Sequence, residues 1–201
     1  MTTFVLATAN PDKAEEIESV LRSIGLPITL ELRDPTLPEV VESGATLEDN
    51  ARLKAVDSCA RTGHPAIADD TGLEVDALGG APGVRTARYA GEDASHADNV
   101  QLLLERMRDV PDDRRTARFA TVAIARWPDG REVAAHGAVD GRIIAEPRGS
   151  GGFGYDPVFV PDDGDGRTFA EMSLAEKDTC SHRARAFHSL ADGLRAILEH
   201  P

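Results

Sequence analysis

Phe4-Val5-Leu6-Ala7 runs into Thr8-Ala9-Asn10-Pro11-Asp12-Lys13, after which Ile17, Val20, Leu21 and Ile24 recur at helical spacing as far as Gly25. A short apolar run followed by a 3.6-residue period predicts a buried strand feeding a helix. Asn10 suits the N-cap and Pro11 the first helical position. Such a junction leaves backbone N–H groups aimed at one spot, with Lys13 nearby, a geometry that attracts phosphate. An ordinary capped helix fits the same residues.

Moving outward, Ile28 to Leu32 reads as a second strand, and Thr46 with Asp49 as a capping box opening a helix to about Gly63. Ala66-Ile67-Ala68 reads as a short strand that ends in Asp69-Asp70-Thr71-Gly72. Successive side chains of a strand point to opposite faces, so one of these carboxylates can face a cleft while the other braces the loop. A solvated turn is the alternative. Leu73, Val75 and Ala77 suggest a further strand, and Ser95 with Asp98 caps a helix carrying Val100, Leu103, Leu104 and Met107. Arg118 to Trp127, the turn Pro128-Asp129-Gly130, Arg131 to Val139, and a second turn at Asp140-Gly141 before Arg142-Ile143-Ile144 predict an antiparallel meander. The last helix is expected from about Ser181, with Ala184, Phe187, Ala191, Leu194 and Ile197 inward. These elements predict an α/β or α+β chain around a mixed sheet.

At 201 residues the chain fits one domain, 1–201, with room for two lobes. A formal charge of −13 argues against a general nucleic-acid or anionic-membrane binder, since both need a basic face. No apolar run approaches the roughly 18 residues that span a bilayer. Two cysteines and the lack of a basic-then-apolar leader predict a reduced, cytoplasmic protein. Only three of the 22 cationic residues are lysines, Lys13, Lys54 and Lys177, and each lies in a motif-like stretch. A chain that otherwise chooses Arg marks these as positions for a compact point charge, a common partner of phosphate; chance leftovers of an Arg-rich composition would look alike.

Gly149-Ser150-Gly151-Gly152-Phe153-Gly154 satisfies G-x-G-x-x-G, yet Tyr155-Asp156-Pro157-Val158-Phe159-Val160 after it reads as a strand, and Pro157 opposes a helix. A dinucleotide-binding dehydrogenase is therefore rejected. The segment still offers a glycine backbone that a flat group can approach, a ring in Phe153 and an acceptor in Asp156, which suit a nucleobase; a structural loop with a core Phe is the alternative.

Seven segments in order, Thr8 to Lys13, Glu42-Ser43-Gly44, Glu48-Asp49-Asn50-Ala51, Asp69-Asp70-Thr71-Gly72-Leu73, Gly79-Gly80-Ala81-Pro82-Gly83, Gly152-Phe153-Gly154-Tyr155-Asp156-Pro157, and Glu176-Lys177 with Ser181-His182-Arg183, resemble the inosine triphosphate pyrophosphatase family. The resemblance implies an α/β fold, an elongated two-lobed mixed β-sheet with flanking helices, ITPase/Maf-like, and a homodimer with nucleotide in a cleft between the lobes. It implies that Thr8, Ala9, Asn10, Pro11, Asp12 and Lys13 hold phosphates, that Glu42 and Asp70 bind Mg²⁺, and that Asp70 is also the general base. Thr71, Phe153, Gly154, Tyr155, Asp156, Lys177, His182 and Arg183 would contact the nucleotide. The family usually has Gly where this chain has Ala9 and Asp12, and Asp12 brings a negative charge toward the phosphate loop.

The activity so implied is hydrolysis of ITP, dITP or XTP to a monophosphate and pyrophosphate. Carboxylates that hold Mg²⁺ let the metal neutralise phosphate oxygens and activate a water, while Lys13 adds positive charge to the developing anion. A 6-oxo purine presents an acceptor where adenine presents a donor, so donors at Arg183 and His182 would be paired by inosine and unpaired by ATP. A nucleotide-sensing module that binds without hydrolysis is the competing class. A related pyrophosphatase for modified pyrimidines would differ in its base pocket.

Overall fold

The computed structural model describes residues 2–199. In chain order these form β1 (Thr2–Leu6), α1 (Pro11–Ile24), β2 (Ile28–Leu32), α2 (Leu47–Thr62), β3 (Ala66–Val75), β4 (Pro82–Gly83), α3 (His96–Arg106), β5 (Thr116–Arg126), β6 (Glu132–Ile143), β7 (Phe159–Pro161), α4 (Leu174–Cys180) and α5 (His182–Glu199). The strands form one sheet in the order β2-β1-β3-β5-β6-β7, with β4 on β3. Parallel pairing joins β1 to β2 and β3, with Leu6 opposite both Leu32 and Ile67, whereas β4 and β7 pair antiparallel. A mixed sheet with flanking helices, α/β in class, is thus what the sequence forms.

Two compact units divide the chain. One comprises Met1–Asp70, Thr121–Gly137 and His182–Pro201; the other comprises Thr71–Ala120 and Ala138–Ser181. The first unit has a core on each face of its strands. Phe4, Leu6 and Ile67 pack with Ile17 and Val20 of α1 and Phe187, Leu190 and Leu194 of α5. Ala7, Ala68, Val122 and Ile124 pack with Ala51 and Ala55 of α2. Small alanines at that second contact let α2 lie close. The second unit packs Leu103 and Met107 of α3 with Phe119, Tyr155, Phe159 and Phe169.

Three sequence expectations are corrected. The strand expected to stop before Asp69 continues to Val75, because both acids meet cationic partners and need no solvent. Asp140-Gly141 makes no turn; β6 runs through it, and Gly141 lets β7 approach so closely that a Cβ there would lie 2.6 Å from the Phe159 ring. The strand expected from Tyr155 begins only at Phe159, since Asp156-Pro157-Val158 forms a 3₁₀ turn, suited to proline's fixed φ.

Candidate active site

The α1 start forms as expected, with Asn10 as N-cap and Pro11 in the first turn. Its donors, however, do not wait for an anion. Asn10 Oδ1 accepts the backbone N–H of Asp12 (2.9 Å) and of Lys13 (3.1 Å), and the Asn10 N–H goes to Thr8 Oγ1 (3.2 Å). Positive charge at this junction therefore comes from the Lys13 side chain more than from backbone N–H groups. Ala9 and Asp12 are exposed, and Asp12 lies in a first helical turn, where negative charge is favoured.

On β3, alternation sends Ile67 and Asp69 to the α1/α5 face and Ala68 and Asp70 to the α2 face. Asp69, 1% exposed, meets Lys13 Nζ at 3.4 Å and Arg183 Nε and Nη2 at 3.4 Å. Arg183 Nη1 also donates to Glu16, buried on α1 one turn beyond Lys13. Burial alone would raise the Asp69 carboxyl, but Lys13, Arg183 and Lys54 outweigh it and hold the group well below the usual carboxylate range. Burial pushes the Lys13 ammonium down, opposed by Asp69. His182 is buried beside Arg183 at the start of α5. That helix start lies against β6, where a Cβ on Gly137 would collide with Ala186 N and His182 O.

On the other face Lys54 Nζ sits 2.9 Å from Glu42 Oε1 and 2.9 Å from Asp70 Oδ1. Asn50, fully buried, donates to Asp70 Oδ2 (3.3 Å) and accepts the Gly44 N–H (2.8 Å), tying the loop that carries Glu42 to α2. Gly44 is required for this approach: a Cβ would lie 2.6 Å from Asn50 Oδ1. Burial, the largest influence, raises Asp70, and Glu42 adds to it while Lys54 and Lys13 oppose. Burial would lower Lys54, but Asp70, Asp69 and Glu42 outweigh it and raise the ammonium. Sequence reasoning placed Glu42 and Asp70 in the site and left out Lys54, Asn50 and Glu16, although Lys54 had stood out as one of three lysines.

No group of three or more His, Cys, Asp or Glu arranged for a metal is found among the described residues. Two carboxylate oxygens nevertheless converge on one point, and a cation already stands there, the Lys54 ammonium. Hard oxygen donors in this number fit Mg²⁺, which keeps several waters and takes one or two carboxylates plus phosphate oxygens.

The second unit holds the remaining candidates. Phe153 is half-buried, with Lys177 Nζ 5.6 Å from its ring centroid and the His96 ring 5.9 Å away. Asp156 Oδ2 accepts Lys177 Nζ (2.7 Å) and the Phe153 N–H (3.0 Å). Tyr155, 2% exposed, gives its hydroxyl to the Thr86 carbonyl (3.0 Å), and burial raises that phenol. Gly154 has φ +61°, and Thr71 follows Asp70 on β3. Nothing in the sequence signalled His96.

Asp69 and Asp70 each face a lysine, and the Phe153 ring lies near a third, an arrangement suited to an enzyme that handles phosphates and a flat base. The chain belongs to the Ham1 family, whose model matches residues 4–193. It is 49% identical over 97% of its length to a dITP/XTP pyrophosphatase of Symbiobacterium thermophilum, covering 96% of that protein. Among solved structures it resembles a HAM1 protein of Coxiella burnetii, with a TM-score of 0.86 and 38% identity over 98% of this chain and 100% of that one. A nucleoside-triphosphatase, dITP/XTP pyrophosphatase, of Mycobacterium abscessus gives a TM-score of 0.74 and 43% identity over 96% and 100%.

Proposed function

We propose that this protein hydrolyses deaminated purine nucleoside triphosphates, ITP, dITP and XTP, between the α and β phosphorus atoms, giving the monophosphate and pyrophosphate. Family membership supports this reading, and the observation that carries it is the convergence of Glu42 and Asp70 on the single point held by the Lys54 ammonium, with the Lys13 charge near enough to act on Asp70. A protein that only sensed a nucleotide has little use for acids next to bound phosphates.

Asp70 is the general base and, with Glu42, would hold a Mg²⁺ ion. Mg²⁺ held there would neutralise phosphate oxygens and make an attacking water more acidic. Of the two adjacent acids Asp70 is the one whose anion its surroundings stabilise less, which suits it to proton abstraction. Asp69 does not, since Lys13 and Arg183 stabilise its anion; its part is to hold those two cations in place. Thr8, Asn10 and Lys13 take the phosphates, Lys13 supplying charge to the developing anion. Phe153 and Gly154 give the base a flat surface, with Asp156 and Lys177 fixing that ring, and Tyr155 ties the loop to the Thr86 carbonyl. Arg183 is oriented by Glu16 and Asp69; its remaining N–H groups, with His182, would meet a 6-oxo group. Immobilised donors discriminate well because a mispaired group cannot turn away.

The same reading makes the protein a cytoplasmic homodimer acting on free nucleotides, with no nucleic-acid or membrane partner. No helix among the described residues is long and apolar enough to cross a membrane. Sedimentation at twice the chain mass checks the dimer, and a monomer at working concentration contradicts it.

Selectivity is the test of substrate class. A buried unpaired polar group costs about 1–3 kcal/mol, so ATP should lose about 5- to 150-fold in kcat/KM per mismatch relative to ITP. Equal kcat/KM for ATP and ITP, with pyrophosphate release assayed for each, would end this assignment of the base.

A further inference from the structure

Glu42 and Asp70 share the Lys54 ammonium, which stands 2.9 Å from each. Its side chain is 13% exposed, against 26% for Glu42 and 7% for Asp70, so the triad is largely shielded from solvent. Two carboxylates so placed repel unless a cation stands between them. An ammonium and a divalent ion at that point compete for Glu42 Oε1 and Asp70 Oδ1 and repel each other, so each weakens the other's hold. Lysine has a flexible four-carbon stem and can leave where a stronger anion calls it. Asn50, one turn before Lys54 on α2, donates to Asp70 Oδ2 (3.3 Å), the oxygen that Lys54 does not use, and so aims the carboxylate independently of the Lys54 contact.

We propose that Lys54 is a built-in counter-ion that fills the divalent-cation position while no nucleotide is bound, and that the triphosphate draws it away, so metal and nucleotide load as a coupled unit. The inference rests on Glu42 and Asp70 being the metal-holding pair. Its consequence is that metal alone binds weakly. Once the nucleotide is bound, Lys54 neutralises phosphate charge and the vacated oxygens take the metal. Coupling of this kind is reciprocal, so each ligand should strengthen the other by the same factor, about 5- to 150-fold.

Mn²⁺ binding followed by electron paramagnetic resonance, with no nucleotide present, reads the block directly. Lys54→Met should bind Mn²⁺ at least about tenfold more tightly than the parent, and Lys54→Arg, which keeps the charge, should stay weak. Equal Mn²⁺ affinity for parent and Lys54→Met overturns the proposal. A second measurement uses the unmutated protein and covers the case in which Lys54→Met does not fold. Lysine side-chain NMR should show the Lys54 signal unmoved by millimolar Mg²⁺ alone and shifted by an α,β-methylene analogue of ITP with Mg²⁺; a shift with Mg²⁺ alone overturns the proposal. Asp70→Asn separates the two layers. If Mn²⁺ uptake in the presence of the analogue survives that change, the metal-ligand reading itself fails. If uptake is lost while Lys54→Met equals the parent, only the counter-ion role fails.

Discussion

Each lysine in the chain sits against an acid, and none has a side chain more than 17% exposed: Lys13 with Asp69, Lys54 with Asp70 and Glu42, Lys177 with Asp156. The shortage of lysine elsewhere was therefore legible as a functional signal, because a strongly hydrated point charge is kept only where a compact cation is needed. What the sequence could not reveal is the division of labour between the two adjacent aspartates, since that depends on which helix each face meets. With the partners known, the two neutral variants should behave differently. Asp69→Asn strands the buried charges of Lys13 and Arg183 and should cost about 3–5 kcal/mol in urea unfolding. Asp70→Asn should unfold near the parental midpoint and instead lose about 10²- to 10⁴-fold in kcat. Equal stability of the two would contradict the assignment. Because Asp69 has a lower value folded than unfolded, its contribution is complete above about pH 4 and disappears as pH falls below that. Lys13→Ala should mainly raise KM; no change in either constant would remove Lys13 from the phosphate site.

Helix starts position most of the chemistry, and capping signals made several of them readable in advance. Asn10-Pro11, Thr46 with Asp49 and Ser95 with Asp98 all cap as expected. The same S-x-x-E pattern at Ser173 and Glu176 announces α4, which carries Lys177, but the segment is only seven residues long and has too little periodicity to stand out. Glu176 caps it by accepting Ser173 N (2.8 Å) and is also gripped by Arg167 Nη2 (2.7 Å), which brings its carboxyl down to about 2. Its folded value lies below the unfolded one, so the cap should hold above about pH 4.5 and be lost as pH falls toward 2. Side-chain NMR titration should place the Glu176 midpoint far below 4.5 and show it rising in Arg167→Ala; an ordinary midpoint contradicts the cap. Close approaches were the least legible feature, because a glycine in sequence does not reveal what it lies against. Gly44→Ala should force the Glu42 loop off Asn50 and weaken activity through lost metal retention at elevated KM for Mg²⁺, with melting temperature little changed. Gly137→Ala, where backbone atoms of α5 would collide, should instead lower stability by about 1–3 kcal/mol or more.

Over the whole molecule, class and the order of the longer elements were legible from periodicity, whereas β4, α4 and the strand limits were not. Buried ion pairs let β3 carry two aspartates through its middle, whereas sequence rules treat Asp-Asp-Thr-Gly as a place to stop. The two units have separate cores, and the chain passes between them within β3, β5 and β6 and again from α4 into α5. Each unit contributes its own set of candidate residues, the acid and lysine set in the first and the Phe153 set in the second. The central claim is that the Asp70 carboxylate drives attack on the α–β anhydride of a deaminated purine triphosphate. Phosphorus-31 NMR of ITP with Mg²⁺ and the protein tests it directly. IMP and pyrophosphate should grow in equal amounts, and Asp70→Asn should still bind ITP while forming neither at a comparable rate. Appearance of IDP with orthophosphate, or parental turnover by Asp70→Asn, would contradict the account.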